Sequence, residues 1–158
     1  MGQGILILQE AGRHVPNKHF REALSYKKAF LSIGVEAEVW GLGYENFSTP
    51  FEEMVKPYST ILLFENYDTG WVPDLSKYKD KLRINVVVDA HCNLSHLVNT
   101  TNKHDIQISL GATKGYLPHF DTPERWCYWL PNCYDDTLIY PMPSVSKSVN
   151  IGFCGNYV

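Results

Sequence analysis

Asp89-Ala90-His91 is the segment of this sequence best placed to do chemistry. Three valines, Val86-Val87-Val88, feed straight into it. A histidine exchanges protons near neutrality. A carboxylate two residues away can orient the imidazole, provided the strand continues far enough for both side chains to project the same way. General acid–base help at a hydroxyl is the chemistry such a couple offers. A histidine that caps the next helix is the plainer reading of the same residues.

Three other apolar runs also end in polar or titratable residues. The first is followed by Glu10, Gly12, Arg13 and His14. The third is followed by Glu65, Asn66 and Asp68, and the fifth by Gly111 and Lys114. Any one strand can end in charge merely because it enters solvent, but several doing so together favour a site. The Gly12 loop lacks the G-x-G-x-x-G spacing of a dinucleotide fold. Gly12 with Arg13 ahead of a helix can still seat an anion. Glu10, Gly12, Arg13, His14, Glu65 and Asn66 are therefore the expected substrate contacts. His91, Cys92, His96 and His104 have neither paired-cysteine nor helical His-pair spacing, so no metal is expected. Trp126, Tyr128 and Trp129 suit core packing or an interdomain seam better than a sugar-stacking platform.

The elements that must position these residues follow from periodicity. Residues 4–9 form an apolar run without alternation, the pattern of a strand buried on both faces. Phe20, Ala23, Leu24, Phe30 and Leu31 recur at helical spacing, with Gly34 just past the end. Val35, Ala37 and Val39 alternate with glutamates, as in a half-exposed strand near a sheet edge. Further strands are expected at residues 60–64, 83–88, 106–110 and 126–130. Helices are expected at 51–55, 74–81 and 94–98, and residues 116–120 are ambiguous. Strands alternating with helices predict an α/β, Rossmann-like, doubly wound and mostly parallel sheet. Ligands bind outside the carboxyl ends of strands in such sheets.

Composition narrows the classes of function. The chain has 158 residues, 44% hydrophobic and 20% charged, which suits one domain with a sizeable core. A net charge of −3 without a basic stripe argues against nucleic acid as partner. No apolar run is long enough to span a bilayer, and no secretory signal opens the chain. These features predict a cytoplasmic location and leave docking on a membrane surface open. The four cysteines form no Cys-x-x-Cys pair and are expected to be reduced, in or near the core. Three glycosylation sequons are read as chance.

The end of the sequence carries the strongest organisational signal. Leu130-Pro131-Asn132-Cys133-Tyr134-Asp135 leads, through Tyr140-Pro141, into a Pro- and Ser-rich connector at residues 140–148. Val149-Asn150-Ile151-Gly152-Phe153-Cys154-Gly155-Asn156 follows, a strand entering a glycine turn. These stretches resemble GT-B-fold glycosyltransferases, including the spore-maturation-protein-like bacterial branch. In that family a Pro-Asn-x-x-Asp stretch ends the first Rossmann-like domain, and a strand with Gly-Asn opens the second.

The resemblance implies an N-terminal acceptor-side domain at residues 1–141, one half of a GT-B fold. Residues 142–158 would then be the linker and first strand of a missing C-terminal, donor-binding domain. It implies a nucleotide-sugar donor, a glycan or other acceptor, and no metal or other cofactor. His91 would face the acceptor and the transferred sugar, with Asp89 as its orienter. Gly155 and Asn156 would lie on the donor side. A non-catalytic doubly wound domain that binds a small ligand or a protein is the alternative. A nucleotide-sugar epimerase of related fold is a third reading.

Overall fold

A computed structural model of the chain describes residues 4–12 and 20–132. Arg13, His14, the 140–148 connector, the 149–153 strand, Gly155 and Asn156 lie outside the described residues, as does the expected boundary at residue 141. Six strands form one sheet: β1 (Gly4–Leu8), β2 (Glu36–Trp40), β3 (Thr60–Leu63), β4 (Leu82–Val87), β5 (Ile108–Gly111) and β6 (Trp126–Trp129). Their order is β2-β1-β3-β4-β5-β6, and every pairing is parallel. Three helices accompany them: α1 (Glu22–Ser32), α2 (Phe51–Met54) and α3 (Leu94–Lys103). The fold is α/β and Rossmann-like, with helices on both faces of a parallel sheet.

Alternation along β1 divides the core. Leu6 and Leu8 pack with Phe51, Val55, Ile61 and Leu75 on the α2 face. Ile7 packs with Ala23, Leu62 and Phe64 on the α1 face. Strand order explains the division. The β1-to-β2 connection runs one way along the sheet, and every later connection runs the other way. Right-handed crossovers then put α1 on one face and the rest on the opposite one. The order reverses between β1 and β3, and ligands in doubly wound sheets bind at that switch point.

Gly34 adopts φ +79° and ends α1 as expected, its N–H donating to the Leu31 carbonyl at 3.1 Å. Several elements differ from the sequence reading. Of the helix expected at 74–81, only a 3-10 turn at Leu75–Lys77 forms. The Asp74 carboxylate accepts from both the Ser76 N–H and hydroxyl, which closes a local turn in competition with a helix. α3 runs to Lys103, five residues beyond the expected end at Val98. Thr100 and Thr101 are buried on its inner face, where an apolar pattern alone does not find them. β5 starts at Ile108 rather than Ile106. Residues 114–119 form a 3-10 turn.

His104, at the end of α3, is fully buried, and its Nδ1 accepts from the Leu75 N–H at 3.3 Å. Burial, reinforced by the charge of Lys103 and opposed by Asp74, pushes its pKa down to about 4. The unfolded chain binds this proton near the ordinary histidine value, whereas the folded chain resists it. The stabilisation is therefore full at neutral pH and lost as pH falls through the folded pKa of about 4. Unfolding in urea is expected to show a loss on the order of 3 kcal/mol from this group between pH 7 and pH 4. His104→Leu should flatten that part of the pH profile, and an unchanged profile would exclude His104 as its source.

Candidate functional site

The site is built by two loops at the switch point and by the first turns of α1. Gln9, just past β1, is buried and holds the helix in place. Its Oε1 accepts from the Ala23 N–H at 2.9 Å, filling the role that a capping side chain at Arg21 would otherwise play. Its Nε2 donates to Glu22 Oε2 at 2.9 Å. The start of α1 is thereby fixed beside the carboxyl ends of β1 and β3.

Glu65 joins the two loops. Its carboxylate accepts from the backbone N–H groups of Asn66 at 3.1 Å and Tyr67 at 3.0 Å, and more weakly from Asp68 at 3.4 Å. The other oxygen accepts from the Glu10 N–H at 3.3 Å and lies 4.0 Å from the Arg21 guanidinium. Asn66 donates to the Phe64 and Val86 carbonyls and accepts from the Val88 N–H. The buried polar side chains of Glu65 and Asn66 thus hold backbone. Gly12 sits at φ +86° in the first loop, a conformation that favours glycine. Glu10 is half-buried beside it.

Asp89 and His91 do not couple as expected. β4 ends at Val87, and Asp89 takes φ +50°, which breaks the alternation that would align the two side chains. Asp89 Oδ2 instead accepts from the Tyr67 hydroxyl at 2.7 Å. The exposed imidazole of His91 places Nε2 3.3 Å from Cys92 Sγ. Among the described residues no hydrogen bond links Asp89 to His91. The Asp89 bond, followed by burial, pushes the Tyr67 phenol up to about 12. In Asp89→Asn that pKa should fall back toward the ordinary tyrosine value, read by alkaline ultraviolet titration. If the last tyrosine to titrate is unaffected, the bond does not exist in solution.

A cavity of about 260 Å³ opens next to Asp89. Phe64, Val86, Val88 and Leu130 give it an apolar lining, and Tyr26 stands against Phe64 with ring centroids 4.6 Å apart. Glu22, Asp89 and Asn132 supply polar groups, and Pro131 completes the wall. Polar and apolar groups share its exposed wall about evenly, so it is more polar than the mostly apolar pockets that usually hold small molecules. The volume falls below the roughly 300–1,000 Å³ of sites for drug-sized ligands, so it suits a single ring rather than a whole nucleotide. Among the described residues, Asp89 is the expected site residue that lines this cavity, and His91, Glu10, Gly12, Glu65 and Asn66 do not line it. Glu22, Tyr26 and Tyr67 were not found from sequence. Only their distance from the switch point in the folded chain, set by the Gln9–α1 contact and the turn after β3, gives them a place.

Other expectations resolve plainly. Gly111 is buried at the end of β5, and Lys114 lies over the Trp129 ring, 6.0 Å from its centroid. Trp126, Tyr128 and Trp129 are 66%, 46% and 55% exposed, so the core-packing reading of these aromatics is corrected. β6 is the last strand of the described sheet, and its outer edge has no strand partner among the described residues. Cys92 is exposed and Cys127 half-buried, both as free thiols, which corrects the near-core expectation for Cys92. Among the described residues no three His, Cys, Asp or Glu side chains converge on a point that could hold a metal ion. No described helix is long and apolar enough to cross a membrane. No family model matches the chain, and no curated protein or solved structure matches it.

Proposed function

We propose that the chain is the acceptor-side domain of a sugar-nucleotide-dependent glycosyltransferase, with the acceptor seated in the cavity beside Asp89. The observation that carries this reading is the cavity's wall. Leu130, Pro131 and Asn132 line it, and they begin the segment that resembles the boundary between the two halves of the GT-B family. A one-ring cavity at that boundary suits an acceptor, and its size leaves the nucleotide to the other half. An acceptor hydroxyl would hydrogen-bond Glu22 or Asp89 over the apolar floor. Its oxygen would attack the anomeric carbon of the donor as the bond to the nucleotide phosphate breaks. The hydroxyl proton would pass to a rim base, with His91 nearest in sequence to Asp89.

Titration of the isotope-labelled chain with simple glycosides, followed by NMR, tests this. Shifts at Tyr26, Phe64 and Val86 that vanish in Tyr26→Ala are the expected result. Nucleotide-sugar turnover by the chain alone would overturn the assignment of the donor to a separate half. Absence of glycoside binding would overturn the acceptor site. The Tyr67–Asp89 bond favours one second reading, a binding domain without catalysis, because it occupies the carboxylate that was expected to serve His91. Glycoside binding without any transfer when the donor half is present would decide for it.

A further inference from the structure

The charged groups in the wall of the cavity beside Asp89 are both carboxylates, Glu22 and Asp89. No lysine, arginine or histidine lines it among the described residues. Arg21, next to Glu22 in sequence, turns to the other loop. Its Nε donates to the Glu10 carbonyl at 3.0 Å, and its guanidinium lies 4.0 Å from Glu65. The groups that hold the two carboxylates are neutral. Gln9 Nε2 donates to Glu22 Oε2 at 2.9 Å, and the Tyr67 hydroxyl donates to Asp89 Oδ2 at 2.7 Å. Each bond engages one oxygen and leaves the negative charge in place. Glu22 Oε1 and Asp89 Oδ1 accept from no side chain among the described residues.

This wall constrains the charge of what it holds. An ionised carboxylate only accepts hydrogen bonds, so the ligand must bring donors. Two negative charges repel a phosphate and attract a cation. A calcium ion is the poorer match, because it takes about six to eight oxygen ligands and half of the wall is apolar. An ammonium group on a ring meets every requirement. It carries three donors and no acceptor, and the ring fills a cavity of about 260 Å³. The Tyr26 and Phe64 rings of the wall, with centroids 4.6 Å apart, add an attraction for a cation placed over a ring face.

We propose that the cavity selects an acceptor ring bearing a protonated amine, in the simplest case an amino sugar. This deepens the acceptor reading given above and rests on it. One carboxylate holds the ammonium and the other takes an acceptor hydroxyl, while the ring lies against Phe64, Val86 and Val88. The same two charges keep a nucleotide phosphate out of the cavity. Glu22 and Asp89 are exposed at its rim, so each ion pair contributes modestly. Two such pairs correspond to a preference of about three- to thirtyfold for the amino sugar over its neutral parent.

NMR titration of the full chain with methyl glucosaminide and with methyl glucoside is the test, at about pH 6, where the amine is protonated. The quantity read is the ratio of the two dissociation constants. The expected ratio is about three to thirty in favour of the glucosaminide at about 0.01 M salt, falling toward one at about 1 M salt as the charges are screened. In the double variant Glu22→Gln, Asp89→Asn the ratio should fall to about one at low salt. Any affinity that both glycosides lose together cancels in it. Equal constants in the wild-type chain overturn the amine preference and leave the acceptor site standing. A preference that survives the double substitution also overturns it, because the cation then sits elsewhere. Binding of neither glycoside overturns the acceptor reading and this inference with it. If the double variant fails to fold, Asp89→Asn alone should lower the ratio about twofold or more, and an unchanged ratio overturns the proposal.

Discussion

Glu65→Ala is expected to destabilise the protein by about 2–4 kcal/mol, because it leaves backbone donors at the two loops without an acceptor. The side chain is buried and serves four backbone N–H groups, those of Asn66, Tyr67 and Asp68 on one oxygen and that of Glu10 on the other. Alanine leaves those donors without an acceptor and leaves Arg21 without its carboxylate. An unsatisfied buried donor costs about 1–3 kcal/mol, so the Asn66 and Tyr67 amides alone approach the expected loss. Against a total stability of about 5–15 kcal/mol, such a loss takes a large share of the fold's margin. Glu65→Gln should cost less than alanine without being neutral. Its amide retains one acceptor oxygen, but its NH₂ would face the Glu10 N–H, donor against donor. Urea unfolding of the three proteins checks the order. A loss below about 1 kcal/mol for alanine would mean that water replaces the carboxylate and that the loops are held by other contacts.

Glu65 also marks where sequence reasoning stops. Its position after a buried strand identified it as a rim residue, and the rim is real. Its partners are backbone amides of two loops 55 residues apart, and nothing in the local pattern of either loop announces that pairing. The strands were legible because Ile5 to Leu8 and Ile61 to Phe64 are apolar on both faces, which only a covered parallel sheet requires. Gly34 was legible because a left-handed residue closes α1. The 74–81 helix was misread because Asp74 and Ser76 satisfy each other locally, an interaction that competes with helix formation at short range. The aromatic strand β6 suggested core packing or an interdomain seam because it is rich in tryptophan, and only the core reading is overturned by its exposure. Its exposure goes with its place at the edge of the described sheet, and strand order is a global property. Asp89 lines the cavity and His91 does not, and the coupling expected between them failed on one backbone angle. The strand ends at Val87, and the left-handed backbone of Asp89 breaks the alternation that would have aligned His91 with it.

That turn sharpens the test of His91. On the proposed glycosyltransferase function, with a donor-binding half supplied, His91→Ala is expected to lower turnover by about 10²–10⁴-fold, the usual contribution of a positioned acid–base histidine. It should barely change stability, because His91 is exposed and surface substitutions commonly stay within about 0.5 kcal/mol. Its hydrogen-bond partner among the described residues is the exposed Cys92 thiol, so no buried partner is left unsatisfied when the ring is removed. Asp89→Asn is the companion variant. It keeps the shape of the side chain and tolerates the left-handed backbone, since asparagine is among the residues that adopt it most readily. If Asp89 accepts the acceptor proton itself, the companion loses turnover as severely as His91→Ala. If Asp89 only holds Tyr67, the companion keeps most of its turnover while the Tyr67 titration moves. Steady-state kinetics and thermal unfolding on the same preparations separate the cases. Near-normal turnover in His91→Ala would remove the histidine from the chemistry. A joint collapse of turnover and melting temperature would make it structural, in conflict with its exposure.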